Sequence, residues 1–275
     1  MYYLETNSIR IFNNKLSTPF YLNNCYTSIL CFCELLAGIK DERSFRERKG
    51  IIRMVYFSRL PSDTDLPETK KYKAYGISID SMVNDSIVLL GGLCVASKSY
   101  QEFQEKISKN LLTEYWNFLQ VYDNVDTKFK ESYNKRQEVF DYSDPTMVSD
   151  FNKRWDNLDQ NPELKSSILN DVIVYFAKTI LEDNIVNVKG KSLYNLVRCY
   201  DHSLDIFFLC IAYFTGTKMI FRNAPGRNDY LDMAHLMYLN NLKSVIVSND
   251  RMIRNVLMKT NPNSFLSADE FGDLS

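Results

Sequence analysis

The chain has 275 residues, 45% of them hydrophobic, so it can bury a sizeable core as one large domain or as a domain with an insertion. A formal net charge of -1 excludes a protein that attracts polyanions through a global positive field, so any nucleic-acid contact needs a local basic patch. The longest apolar runs, residues 87–96 and 206–214, are shorter than the ~20 residues that span a bilayer, and we expect no membrane segment.

The cysteines show no paired C-x-x-C spacing of the kind that metal or redox sites use. No basic and apolar leader precedes the first predicted strand. We therefore expect free, buried thiols in a cytoplasmic protein. The six positions are Cys25, Cys31, Cys33, Cys94, Cys199 and Cys210.

The first predicted strand covers residues 1–4 and is followed at once by Glu5, Thr6 and Asn7. An apolar run that ends in an acid is how a parallel strand brings a carboxylate to the carboxyl edge of an open α/β sheet, where ligands bind. Glu5 is therefore the first candidate for a functional carboxylate.

A helix is predicted over residues 28–39, ending near Gly38, and Glu34 lies within it between apolar neighbours. A buried carboxylate without a partner is costly, so it normally has an ion-pair partner or a metal. Glu34 is the second candidate. The alternative is a glutamate at the rim of the helix, in contact with solvent.

Residues 40–53 mix basic and acidic side chains and include Arg43 and Arg46. This composition is typical of a solvated helix face with ion pairs, and the alternative is a patch that contacts phosphates. The two prolines and many polar groups of residues 60–73 predict a loop.

Helices are predicted over most of residues 77–191, and Gly91-Gly92 predicts a break or a kink in the apolar run around it. A further helix is predicted over residues 192–215, ending at Gly216, and a short strand over residues 218–221.

The stretch that follows is rich in charged residues and turns. Arg222 and Arg227 flank a turn that contains Pro225 and Gly226, and we expect them to lie where a substrate phosphate would bind. A helix is predicted to begin at Asp229, a strand to cover residues 244–247, and Asp250 to follow it. Asp229 and Asp232 are three residues apart and share one helical face. The acids at both ends of this stretch indicate a carboxylate site.

Four motifs, in this order, resemble those of the PIN-domain nucleases. An apolar strand with an acid and Thr-Asn is matched by YYLETN at residues 2–7, and a helical E-L-x-x-G by Glu34 and its neighbours. An aspartate at the start of a helix is matched by Asp232, and a strand ending in Ser-Asn-Asp by residues 248–250. The sequence FLSADEF at residues 265–271 resembles the terminal strand and turn of the family.

The resemblance implies a Rossmann-like three-layer α/β/α sandwich with a central parallel sheet. Residues of about 1–40 and 200–275 would form this PIN-like domain, and residues of about 41–199 a mainly helical insertion. It also implies an acidic pocket that binds Mg²⁺ or Mn²⁺, and hard divalent cations do prefer carboxylate oxygens.

By the same resemblance, Asp232 ranks above Asp229, because it lies 18 residues before Asp250, as in the family. One departure is Glu5, where the family normally has aspartate, and its extra methylene would weaken or retune activity. The implied metal ligands are Glu5, Glu34, Asp232 and Asp250, with Asp229 as an accessory or alternative acid, and the implied orienting residues are Asn7, Ser248 and Asn249.

The function implied is that of a metal-dependent endoribonuclease in the cytoplasm, and such domains often serve as toxins or defence effectors. The substrate would be single-stranded or structured RNA. An inhibitor, a regulatory protein and a second copy of the chain stay open as further partners. The alternative is a catalytically inactive PIN-like module that binds nucleic acid or a protein through the helical insertion. A DNA nuclease of the related flap-cleaving type is less favoured, because no clear basic arch is present.

Overall fold

A computed structural model describes residues 1–79, 82–122, 131, 133–135, 146–182, 190–226, 228–239 and 244–274. Within these residues, five short strands form one sheet: β1 (Tyr2–Leu4), β2 (Cys25–Ser28), β3 (Ser62–Asp63), β4 (Val245–Val247) and β5 (Phe265–Leu266). The α-helices are α1 (Thr6–Phe12), α2 (Pro19–Asn24), α3 (Ile29–Ala37), α4 (Glu42–Phe57), α5 (Pro67–Ala74), α6 (Met82–Ala96), α7 (Tyr100–Lys109), α8 (Thr113–Tyr122), α9 (Met147–Asp156), α10 (Pro162–Glu182), α11 (Leu193–Cys199), α12 (Asp205–Ile220), α13 (Asp229–Ala234), α14 (Arg251–Thr260) and α15 (Ala268–Leu274). Single 3₁₀ turns cover Leu158–Gln160, His235–Tyr238 and Pro262–Ser264.

The sheet has the order β3-β2-β1-β4-β5, and every pair of neighbouring strands is parallel. β1 is the central strand, with Tyr2 opposite Cys25 on one side and opposite Val245 on the other. The chain builds the sheet outward from β1 to β3 and then returns to add β4 on the opposite side of β1. This reversal makes the crevice between β1 and β4 the topological switch point, where open α/β sheets bind ligands.

The core lies around the central strands. Tyr3, Leu4, Ile246 and Val247 are fully buried, and so is Leu30 at the start of α3. Strands that are buried on both faces need apolar side chains at consecutive positions, as these short runs have. The fold is therefore mixed α/β, mostly helical, around a five-stranded parallel sheet. Among the described residues, no helix combines the length and apolar character needed to cross a membrane.

The predicted loop at residues 60–73 is wrong, because this segment contains β3 and α5. β3 is only two residues long and pairs Ser62 with Thr27 of β2, so a tertiary contact forms it rather than a local apolar pattern. Pro67 stands in the first turn of α5, where the missing N–H of proline costs nothing. The prolines therefore begin a helix here instead of preventing one.

Of the two alternatives predicted at Gly91-Gly92, the break is wrong, because α6 continues through both residues, and the kink stays a prediction. A Cβ added at Gly91 would overlap the ring of Phe32 on α3. Glycine at this position lets the two helices approach closely, and the packing gained keeps the helix intact.

The strand predicted at residues 218–221 and the helix end predicted at Gly216 are wrong too, since α12 runs to Ile220. Gly216 leaves space for the ring of Phe151, and Arg222, at a positive φ of 53°, ends the helical conformation. The helix predicted over residues 192–215 is divided into α11 and α12. All six cysteines are free, and five are buried as predicted, whereas Cys199 is exposed.

Candidate functional site

The candidate site lies at the carboxyl edge of the sheet, where β1, β2 and β4 end. β1 is followed by Glu5, β2 leads into α3 with Glu34, and β4 is followed by Ser248 and Asp250. Because the strands are parallel, these ends share one edge of the sheet. Ser8 of α1 donates a hydrogen bond of 2.6 Å to the carbonyl oxygen of Val247, which ties the segment after β1 to the end of β4.

Glu5 is the N-cap of α1, and only 3% of it is exposed. Its Oε2 accepts a hydrogen bond from the backbone N–H of Asn7 (2.7 Å), and its Oε1 accepts one from that of Ser8 (3.1 Å). The Glu5 carboxylate therefore caps the first turn of its own helix. Burial raises the pKa of Glu5, and the nearby charge of Glu34 adds to the increase, while His235 and the backbone donors oppose it.

Glu34 is held by two side chains from other elements. The hydroxyl of Thr6 donates to Glu34 Oε2, and Nε2 of His235 lies 3.1 Å from the same oxygen. Its side chain is 19% exposed, so the interpretation as a glutamate at the rim in free solvent does not hold. The expectation that a carboxylate in this helix has a partner is confirmed, and the partner is a histidine.

His235 is the centre of a buried polar network and is 1% exposed. Its Nδ1 lies 2.7 Å from the hydroxyl of Tyr3, which in turn lies 2.8 Å from Oγ of Ser28. Burial opposes a charge on the imidazole, but Glu34 and a hydrogen bond with Cys31 raise the pKa of His235 well above its ordinary value. As an imidazolium, His235 donates through both nitrogens, to Glu34 and to Tyr3.

Asp232 lies in the first turn of α13 and shares its electrostatic environment with the other three predicted ligands. Its pKa is raised from the ordinary value of 3.8 to about 7. Burial is the largest cause, the charge of Asp250 is the next, and Glu34 and Glu5 add to the effect, while His235 opposes it. The charges of Asp250, Glu34 and Glu5, which come from separate segments, thus all act on Asp232.

Asp250 is the N-cap of α14, and its Oδ1 accepts a hydrogen bond of 2.8 Å from the backbone N–H of Ile253. The hydroxyl oxygen of Ser248, which is fully buried, accepts the backbone N–H of Asp250 at 2.9 Å. Asn249 accepts the backbone N–H of Ala268 at 3.0 Å. Ser248 and Asn249 thus fix the chain around Asp250, whereas Asn7 is exposed and contacts Glu5 through its backbone.

Asp229 belongs to a separate set of contacts. It accepts the backbone N–H of Gly226 at 2.6 Å and forms an ion pair with Lys218 at 3.0 Å. Its charge is not among the causes that raise the pKa of Asp232. The contacts of Asp229 stabilise the turn before α13 and connect it to α12.

The predicted nucleic-acid contacts are dispersed. Arg43 and Arg46 form ion pairs within α4, with Glu47 at 2.9 Å and Glu42 at 2.7 Å, on an exposed face. This pairing matches the interpretation of α4 as a solvated, mixed-charge helix. Arg222 is exposed just after α12. The predicted contact Arg227 lies outside the described residues.

Among the side chains of the site that were not predicted are Thr6, Tyr3 and His235. His235 carried a local indication, because it lies three residues after Asp232 and so on the same helical side. Thr6 and Tyr3 carried none beyond their position next to Glu5, since their contacts join segments that are far apart in the sequence.

The donor chemistry of the cluster fits a hard divalent cation, because carboxylate oxygens are the ligands that Mg²⁺ and Mn²⁺ prefer. The raised pKa of Asp232 fits as well, since a cation would offset negative charge that His235 offsets only in part. In the part of the chain that the structure describes, no three His, Cys, Asp or Glu side chains are already arranged around a metal position. Glu5 is turned onto α1, and Glu34 is bonded to Thr6 and His235.

Searches of protein-family models, of curated proteins and of solved structures find no match to this chain.

Proposed function

We propose that this protein is a metal-dependent endoribonuclease with a PIN-like site. The observation that carries the proposal is that Glu5 and Asp250 follow adjacent parallel strands at one edge of the sheet, with Glu34 bonded to Thr6 beside Glu5; the raised pKa of Asp232 supports it. A functional site is where burial and like charges are expected to shift the pKa of an acid by several units. The convergence also occurs at the carboxyl edge of a parallel sheet, next to its topological switch point.

The proposed domain is a three-layer α/β/α sandwich formed by residues of about 1–40 and 200–275, with residues of about 41–199 inserted. The all-parallel sheet supports it, since the resemblance implies such a sheet. β3 comes from the middle segment and pairs with β2, so that segment would also contribute an edge strand to the domain.

In this mechanism, Asp232 and Asp250 would hold a divalent cation together with Glu5 and Glu34. A bound Mg²⁺ or Mn²⁺ would supply a water of lowered pKa and neutralise charge on the phosphodiester. The protein's own residues fix the carboxylates. α1 anchors Glu5, the N-terminus of α14 anchors Asp250, and His235 orients Glu34. Metal binding would require Glu5 and Glu34 to exchange some of these hydrogen bonds for the cation.

A catalytically inactive, PIN-like binding module is the second candidate. Glu5 favours it, because both of its carboxylate oxygens accept hydrogen bonds from the first turn of α1. A first ligand that is held in this way has less freedom to reach a metal with strict octahedral geometry. In that case, the carboxylate cluster would no longer be catalytic, and the protein would bind its partner through the inserted helical segment of about residues 41–199.

Incubation of the purified protein with end-labelled RNA and Mn²⁺ distinguishes the two candidates. The variants are Asp232→Asn and, as a matched control, Asp171→Asn, the same change at an exposed position on α10. The nuclease proposal predicts cleavage by the wild type and the control, no cleavage in EDTA, and loss of cleavage in Asp232→Asn. Equal inactivity of all three proteins with retained RNA binding would refute the proposal and favour the binding module.

A further inference from the structure

A groove of about 560 Å³ lies between α12 and α14, beside the carboxylate cluster. Tyr213 of α12 and Met252 and Met258 of α14 are its apolar lining residues that are at least partly exposed, whereas Phe214 and Val256 lie buried at its floor. Arg251 begins α14 directly after Asp250, so one end of the groove starts next to a predicted metal ligand. Lys218 of α12 also lines the groove, on the side opposite α14.

The groove is basic, although the chain as a whole is slightly acidic. Lys218, Arg251 and Lys259 line it, and its lining includes no carboxylate among the described residues. Lys218 and Lys259 form ion pairs with Asp229 and Asp156. Arg251 is exposed and makes no ion pair within the described ranges. Because two of these three cations are already paired, the excess positive charge of the groove comes from Arg251, and a polyanion would also compete with Asp156 for the exposed Lys259.

The dimensions of the groove match a short stretch of one nucleic-acid strand. Arg251 and Lys259 are eight residues apart on α14, which corresponds to about 12 Å along the helix. This distance is longer than the ~3.4 Å axial spacing of nucleotides in a stacked strand, so a strand that contacts both cations extends over more than one nucleotide. The faces of unpaired bases can pack against the apolar surface between these cations. In a double helix the base faces are stacked on one another and are not accessible to the protein.

We propose that this groove binds a segment of single-stranded RNA, with phosphates on Arg251 and Lys259 and base faces against the apolar surface between them. The inference rests on the proposed function, because it assumes that the protein cleaves RNA. It adds that the substrate is single-stranded and extends from the groove to the carboxylates. An acidic peptide would use the cations but would gain little from an apolar surface of this length. RNA therefore accounts for both features of the groove.

The test measures binding of a fluorescein-labelled 12-nucleotide oligouridine by anisotropy, in EDTA and in an Asp232→Asn background, over a series of salt concentrations. The double variant Arg251→Gln/Lys259→Gln removes both groove cations. The matched control is Arg254→Gln, the same type of change on the same helix but outside the groove lining. All three positions are exposed, so the fold should persist, and thermal unfolding checks it.

Each phosphate contact on a single strand contributes ~0.7 to the slope of log affinity against log salt, or roughly fivefold in affinity at 0.1 M salt. The double variant should therefore bind roughly 25-fold more weakly than its parent, with a slope smaller by ~1.4. Arg254→Gln should bind within about twofold of the parent. Duplex RNA of the same length should bind the parent more weakly than the single strand.

Three results would overturn the inference: unchanged binding by the double variant, an equal loss in Arg254→Gln, or equal affinity for duplex RNA. An oligoglutamate peptide that binds the parent more tightly than oligouridine would assign the groove to a protein partner instead. Cleavage assays in Mn²⁺ separate this inference from the proposed function. Cleavage that depends on Asp232 but not on the groove cations would leave the nuclease proposal intact. Groove-dependent binding without cleavage would support the groove and refute the nuclease.

Discussion

Replacement of Asp232 by asparagine should change how the stability of the metal-free protein depends on pH. The pKa of Asp232 is raised from 3.8 to about 7 in the folded chain, so the folded state holds this proton more tightly than the unfolded state. Stability is therefore lost as pH rises from ~4 towards ~7 and does not return above it. Three pKa units correspond to up to about 4 kcal/mol, and the partial exposure of Asp232 reduces this figure.

Urea unfolding in EDTA at pH 5, 6, 7 and 8 measures the effect. The wild type should lose free energy of unfolding across this range, and Asp232→Asn should lose less, by up to about 2.7 kcal/mol, because about two of the three pKa units fall between pH 5 and pH 8. The raised pKa values of Glu5 and His235 act in the same direction and remain in the variant, so its curve should still slope. At pH 8 the variant should be the more stable protein. Asp171→Asn, at an exposed position, should follow the wild type.

Addition of Mn²⁺ at pH 8 should then stabilise the wild type, by ~2.7 kcal/mol when the free metal is a hundredfold above its dissociation constant. Asp232→Asn should gain much less. The same pH dependence in the wild type and Asp232→Asn would refute the electrostatic coupling of the four carboxylates. Equal stabilisation of both by Mn²⁺ would remove Asp232 from the metal ligands.

Three further changes test other parts of the site and the core. His235→Gln keeps a donor to Glu34 but removes the positive charge that offsets the carboxylates, so titration calorimetry at pH 8 should find Mn²⁺ affinity about tenfold higher, and unchanged affinity would contradict the electrostatic coupling of His235 to the carboxylates. Glu5→Asp should keep the helix cap and preserve or raise RNA cleavage, and complete loss would show that this residue is not the first ligand. Gly91→Ala should lower the free energy of unfolding in urea by ~1–3 kcal/mol, because the added methyl group overlaps Phe32. The control Gly50→Ala, whose methyl group would meet open space on a helix, should raise it by up to ~1 kcal/mol. A change of the same sign in both variants would contradict the close contact at Gly91.

The strands that were predicted correctly carry strong local patterns. β1 and β4 are short apolar runs that end in an acid or in Ser-Asn-Asp, and the structure has strands at both places. β2 was missed because its residues run directly into α3, and β3 was missed because two polar residues become a strand only through pairing. The strand predicted at residues 218–221 is wrong because its apolar residues belong to the last turn and the C-cap of α12, so a local apolar run was mistaken for a strand.

Within the site, the sequence predicted the acidic residues but not the side chains that form hydrogen bonds with them. The spacing to Asp250 favoured Asp232 over Asp229, and in the structure Asp250 raises the pKa of Asp232, whereas Asp229 pairs with Lys218. The contact between Tyr3 and His235 joins residues 232 positions apart, and no periodicity or motif predicts such a contact. The groove between α12 and α14 was not predicted either, because its basic residues come from two helices that meet only in the folded chain.

The most direct test of the account is a crystal structure of the protein soaked in Mn²⁺, with the metal located by its anomalous scattering. We predict a Mn²⁺ ion bound by carboxylate oxygens of Asp232 and Asp250, with Glu5 or Glu34 as a further ligand. A crystal with a saturating concentration of Mn²⁺ and no anomalous peak among these four carboxylates would contradict the central claim.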